Sequence, residues 1–96
     1  MKIIIRNNAK HPKKFIRFIK WKFHRIHEKF KELIYVEVFL NVEGNTPKTY
    51  IANIRLGIPG NDIIIQNKSE SLTEIYRKSI ENVHRLLAKN KTLKSR

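Results

Sequence analysis

The residues able to do chemistry in this 96-residue chain are overwhelmingly cations: 21 Lys and Arg stand against 8 Asp and Glu, a formal net charge of +13. There is no cysteine, which excludes thiol nucleophiles, disulfide scaffolds and Cys-ligated zinc. Four histidines remain as acid–base or metal-binding candidates. His24 and His27 are three residues apart, the spacing of a metal pair or a nuclease acid–base pair on one helix face. No third ligand is well placed beside them, and His11 and His84 are remote in sequence. Gly44, Gly57 and Gly60 are spaced as turns and form no phosphate-cradling loop. The chemistry that remains is recognition of a polyanion: nucleic acid first, an acidic membrane surface second, an acidic protein third. Neither a cofactor, a metal nor a small-molecule substrate is expected.

The charge is unevenly distributed. Residues 1–33 carry 11 Lys and Arg and 2 Glu, a net of +9; residues 34–70 are at −1, and residues 71–96 at +5. Two separated basic segments therefore flank a near-neutral middle, unlike a polybasic tail. Hydrophobic residues make up 41% of the chain, too many for a disordered polycation. The run Ile3-Ile4-Ile5 is shorter than the ~7–15 residues of a signal-peptide core, and Leu33 to Val36 is far below the ~20 needed to span a membrane. A cytosolic protein is expected.

The elements that must position these charges follow from periodicity. Lys2 to Arg6 is a β-branched run and reads as a strand. After Pro12, which suits a first helical turn, Phe15, Phe18, Ile19, Phe23, Ile26, Phe30 and Leu33 recur with helical period as one buried face. Tyr35 to Val42 and Thr49 to Leu56 alternate as strands, joined by the turn residues Gly44 to Pro47. Gly57, Pro59, Gly60 and Asn61 mark a second turn before a strand at Ile63 to Ile65. Ser69 or Ser71 caps a last helix, with Glu74 placed to complete a capping box. Its stripe is Leu72, Ile75, Tyr76, Ser79, Ile80, Val83, Leu86 and Leu87. The expected domain is α+β, with order β-α-β-β-β-α, covering residues 1–91. Residues 92–96 are expected as a basic, flexible tail, with fraying from Lys91 onward.

Two helices with one apolar face each are most simply buried side by side on one face of a four-stranded sheet. That arrangement makes the groove between them the expected electropositive surface. On the first helix Lys22, Arg25 and Lys29 fall on one flank of the apolar stripe; on the last helix Lys78, Arg85 and Lys89 cluster on one side, with Arg77, His84 and Lys91 on the other. A solvated face with mixed i,i+4 charges explains any single lysine. It does not explain eight basic residues from Lys13 to Lys31 with only Glu28 and Glu32 among the helix's acids. Trp21 lies roughly opposite the stripe, where an exposed indole beside Arg25 could stack on a base or simply cover a neighbouring loop. Membrane binding is disfavoured because the core consumes both apolar stripes.

The pattern resembles the ribosome hibernation-promoting factors and ribosome-associated inhibitors, also known as sigma-54 modulation proteins, in their short form. In the first helix Phe18-Ile19-Lys20-Trp21-Lys22-Phe23-His24-Arg25-Ile26 is similar to the family's Y-V-x-x-K-L-x-K-L, and Val36 to Leu40 to V-x-V-x-L. Ser71-Leu72-Thr73 resembles its D-M-Y helix entry, with Ser71 in place of Asp, and His84 to Lys91 resembles E-R-Q-L-R-K-Y-K. Asn82 and Ala88 stand where Lys and Arg are common, and the loop from Asn7 to His11 is slightly short. The resemblance implies a fold like double-stranded-RNA-binding domains. It also implies a non-enzymatic, cytoplasmic role in stationary phase or stress. There the family binds 16S rRNA in the decoding region of the small subunit or 70S ribosome and blocks mRNA and tRNA. Carried over by matching position, Lys22, Arg25, Arg85, Lys89 and Lys91 are implied as contacts. With Trp21, Lys29 and Lys78 from the helical reading, they make up the candidate RNA-binding set of a monomer. Two other readings stand beside it: a general structured-RNA-binding module, and a small ribonuclease dependent on His24 or His27.

Overall fold

Alternation and helical period translate into six elements: β1 (Lys2–Asn7), α1 (Lys13–Lys29), β2 (Tyr35–Glu43), β3 (Thr49–Ile58), β4 (Asn61–Ser69) and α2 (Leu72–Lys94). The computed structural model describes the backbone of residues 1–94 and the side chains of residues 1–90. The strands form one sheet in the order β1-β2-β3-β4. β1 pairs with β2 in parallel, Ile3 opposite Val36, a pairing that requires a crossover and receives it from α1. β2, β3 and β4 are an antiparallel meander, with Val38 opposite Ile54 and Ile54 opposite Ile65.

This pairing makes β1 and β4 point the same way. Each is followed by a helix that returns over the same sheet face, so α1 and α2 run parallel with both N-termini at one end. Phe15 near the start of α1 stacks on Tyr76 near the start of α2, and further along Phe30 meets His84 edge-on. Between helices and sheet lies the core: Ile19, Phe23 and Ile26 from α1, Val36, Val38 and Leu40 from β2, Ile54 and Leu56 from β3, and Ile75, Val83 and Leu87 from α2. The expected β-α-β-β-β-α fold with both helices on one face is the fold observed.

Local chemistry explains where the elements stop, and where expectation and structure differ. α1 ends at Lys29, and Phe30 donates its N–H to the Ile26 carbonyl at the last turn. Phe30 and Leu33 stay buried although they lie beyond the helix, so the apolar period continued past the element that carries it. Gly57, expected in a turn, sits within β3. A Cβ there would lie 2.0 Å from the Tyr35 ring, because Tyr35 crosses over Gly57 to donate its hydroxyl to Asp62. The turn itself is the pair Pro59-Gly60, with Gly60 at φ +80°, as a type II turn requires.

Ser71 caps α2, accepting the Glu74 N–H at 3.2 Å. The reciprocal half of the expected box is absent: the Ser71 N–H donates to Ser69 Oγ, and the Glu74 carboxylate is taken by Arg77. α2 is helical to Lys94, further than its apolar stripe alone indicated. Ser95 and Arg96, the end of the expected tail, lie outside the described residues. Among the described residues no helix is long and apolar enough to cross a membrane.

Candidate nucleic-acid interface

α1 turns its polar face outward and leaves it uncompensated. Trp21 is 52% exposed and Phe18 41%, with ring centroids 6.4 Å apart. Phe18 is therefore not part of the buried face that its spacing indicated; it stands at the edge where α1 meets the interhelical groove. The Lys22 ammonium lies 5.7 Å from the Phe18 centroid and 5.4 Å from that of Trp21, and the Arg25 guanidinium lies 5.2 Å from Trp21. These are cation–π distances, and they hold two cations and two aromatic rings together on an exposed ridge. The ion pairs among the described residues belong to Arg55 and Arg77, and none uses a cation of α1. The helix also begins without an acidic residue in its first turn and carries Lys13 and Lys14 there. Cations at that end oppose the helix dipole and lower stability by about 0.3–1 kcal/mol each.

α2 turns toward the groove the side that carries Arg77 and His84. Its groove-facing flank is made of Thr73, Tyr76, Arg77, Ile80, Glu81 and His84. The row containing Lys78, Asn82, Arg85 and Lys89 lies on the opposite flank, toward β4. Burial of Ile75, Tyr76, Val83 and Leu87 orients the helix, and on this flank Asn82 donates to Asn67 Oδ1 of β4 at 2.7 Å, while Asn67 reaches Ser79 Oγ at 3.5 Å. Arg85 donates to Asn82 Oδ1 at 3.3 Å. Asn82, standing where a Lys is common in the resembled family, thus anchors helix to sheet. Lys22, Arg25 and Lys29 do line the groove, but they are separated from Lys78, Arg85 and Lys89 by the ~10–12 Å width of a helix. The basic surface is consequently two parallel rows on the helical layer. The side chain of Lys91 is outside those described.

The cation that α2 does present to the groove is already satisfied. Arg77 donates to Glu74 at 2.7 and 3.0 Å and to Glu81 at 2.8 Å. These carboxylates hold the guanidinium still more firmly protonated than usual, and Arg77 in turn holds the Glu74 carboxyl below its ordinary value. All three side chains are largely in solvent, so the network organises the groove wall more than it stabilises the fold.

Against Tyr76 of the groove lies a residue that sequence spacing could not place. His11 is only 6% exposed. Its Nδ1 is hydrogen-bonded with the Tyr76 hydroxyl, and its ring meets Tyr50 and Tyr76 edge-on at 5.4 and 5.6 Å. Asn7 clamps its backbone, donating to the His11 carbonyl and accepting its N–H, both at 2.9 Å. His11 thereby bolts the short β1–α1 loop to β3 and α2. Burial lowers its affinity for a proton and raises the Tyr76 pKa. His24 is exposed and His27 half-buried; among the described residues no three His, Cys, Asp or Glu side chains come together as metal ligands.

A four-stranded sheet with a parallel first pair and two parallel helices on one face is an architecture shared with solved structures. The chain superposes on a ribosomal subunit interface protein from Coxiella burnetii with a TM-score of 0.80 at 18% identity, covering 96% of this chain and 99% of that one. It also superposes on the N-terminal domain of Thermus thermophilus Protein Y, with a TM-score of 0.69 at 16% identity and coverage of 90% and 91%. At such identities the shared property is the fold. No family model and no curated protein sequence matches the chain.

Proposed function

We propose that the protein is a ribosome-associated translation inhibitor. It binds the small subunit, alone or in the 70S ribosome, at the decoding region of 16S rRNA and excludes mRNA and tRNA in stationary phase or stress. The observation that carries this reading is the outward face of α1, where Lys22 and Arg25 surround exposed aromatic rings and no cation of α1 has a carboxylate partner among the described residues. Such a face repels itself until a polyanion arrives.

Structured RNA is read by shape through phosphate and 2′-hydroxyl contacts, which two rigid rows of Lys and Arg can supply without discriminating bases. The fold shared with the Coxiella subunit interface protein supports the ribosome as the source of that RNA. The inhibitor acts by occupancy as a cytoplasmic monomer; no bond is made or broken, and no metal or cofactor takes part.

The test is ribosome co-sedimentation of a variant with Lys22, Arg25, Arg85 and Lys89 all changed to Glu, at moderate salt. Loss of binding with the circular dichroism spectrum unchanged is expected; retained co-sedimentation would refute the two-row platform. A general RNA module would instead bind free duplex RNA as tightly as ribosomes. A ribonuclease would cleave RNA and stop doing so on His24→Ala or His27→Ala.

A further inference from the structure

Phosphate contacts require only cations, and they leave the apolar floor of the interhelical groove unexplained. At the end shared by the two helix N-termini the groove encloses about 520 Å³, within the ~300–1,000 Å³ of small-ligand sites. Its floor is Phe15, Phe18, Tyr76 and Ile80. Phe15 and Tyr76 are stacked at 5.2 Å with 13° between their planes, Tyr76 being buried, so Phe18, 41% exposed, is the ring open to a ligand.

Cations stand over this floor. The Lys14 ammonium is 5.4 Å from the Phe15 centroid, and that of Lys22 is 5.7 Å from Phe18. The opposite wall carries the fixed Arg77–Glu81 pair, a donor and an acceptor side by side. A hydrocarbon chain would leave that polar wall unused and gain nothing from the ammonium groups. A flat heteroaromatic ring with hydrogen-bonding edges, joined on both sides to anionic groups, uses floor, wall and rim together.

We propose that this groove receives one unpaired nucleobase of the bound RNA, with its flanking phosphates paired to Lys14 and Lys22. The inference deepens the RNA-binding reading above and rests on it. Phosphate rows fix the protein on the RNA; the groove would add a requirement for a bulged or looped-out nucleotide beside the helix it grips.

The test compares two RNA hairpins with identical phosphates, one carrying a single bulged adenosine and the other an abasic residue at the bulge. Fluorescence anisotropy of end-labelled hairpins gives both dissociation constants. Wild-type protein is expected to bind the intact bulge about 5- to 150-fold more tightly, the worth of stacking one base. Ile80→Trp, which fills the groove, and Phe18→Ala, which removes an exposed part of its floor, are each expected to bring that ratio close to one. Trp21→Ala weakens both hairpins but keeps the ratio.

Equal affinities in wild type would overturn the proposal. So would a ratio that survives Phe18→Ala and Ile80→Trp in protein shown to be folded by circular dichroism, or one lost only with Trp21→Ala, which would place the base on the outer indole. Ribosome co-sedimentation of the same proteins separates the two claims. Base dependence without ribosome binding refutes the ribosomal reading alone, and ribosome binding without base dependence refutes the groove alone.

Discussion

Removing the three groove-lining cations of α1, as Lys22→Gln, Arg25→Gln and Lys29→Gln together, is expected to change the salt dependence of RNA binding by a calculable amount. None of the three takes part in an ion pair among the described residues, so their loss breaks no salt bridge and relieves like-charge repulsion within the helix. Each phosphate contact removed lowers the slope of log K against log salt by about 0.7–0.9. Three contacts therefore lower it by about 2–3. Between about 50 and 200 mM salt the wild type should lose about 20- to 40-fold more affinity than the triple variant.

The control is Arg77→Gln. Because Glu74 and Glu81 already compensate that charge, its removal should change the slope by less than any one of the α1 cations. The assay is equilibrium binding to purified small subunits across the salt series, with thermal unfolding to confirm the fold. An unchanged slope in the triple variant, or an Arg77 effect as large as theirs, would refute the assignment of the interface to α1.

Two further perturbations test the scaffold. Gly57→Ala puts a Cβ where the Tyr35 ring lies and is expected to destabilise the protein by about 1–3 kcal/mol; an unchanged midpoint in urea would show that Tyr35 moves aside at no cost. Burial makes His11 harder to protonate in the folded protein than in the unfolded chain, so unfolding takes up a proton at acidic pH. That contribution to stability is complete above the unfolded value of 6.5 and is lost as pH falls toward the lower folded value. His11→Gln should flatten the fall of melting temperature as pH drops below 6.5, and an equally steep profile would assign the acid sensitivity elsewhere.

Much of the scaffold was legible because its determinants are local. The period through Ile19, Phe23 and Ile26 and the alternation of Val36, Val38 and Leu40 each report one buried face, and the sheet and both helices follow. The features that escaped depend on partners distant in the chain. Phe18 shares the helical spacing of its buried neighbours, yet it meets a groove instead of the sheet. The buried stripe of Ile75, Tyr76, Val83 and Leu87 orients α2 on the sheet, but which flank then faces α1 depends on the sheet topology, and no spacing encodes the Asn82–Asn67 hydrogen bond that ties the other flank to β4.

His11 was legible only as an isolated imidazole, because Tyr50 and Tyr76 reach it through folding alone. The capping box failed in one half for a similar reason of competition: Arg77 offers Glu74 two charged donors where Ser71 offers one neutral N–H. Charge distribution, in contrast, survived intact. The basic residues of α1 were countable in sequence, and their outward, unpaired state is what the structure adds.

The most direct measurement of the central claim is competition on purified small subunits. Labelled mRNA and its cognate tRNA are bound first, and the protein is then titrated to saturation. The mRNA and tRNA are expected to leave as the protein binds, with one protein per subunit at the end point. Stable co-occupancy of protein, mRNA and tRNA on the same subunit would contradict it.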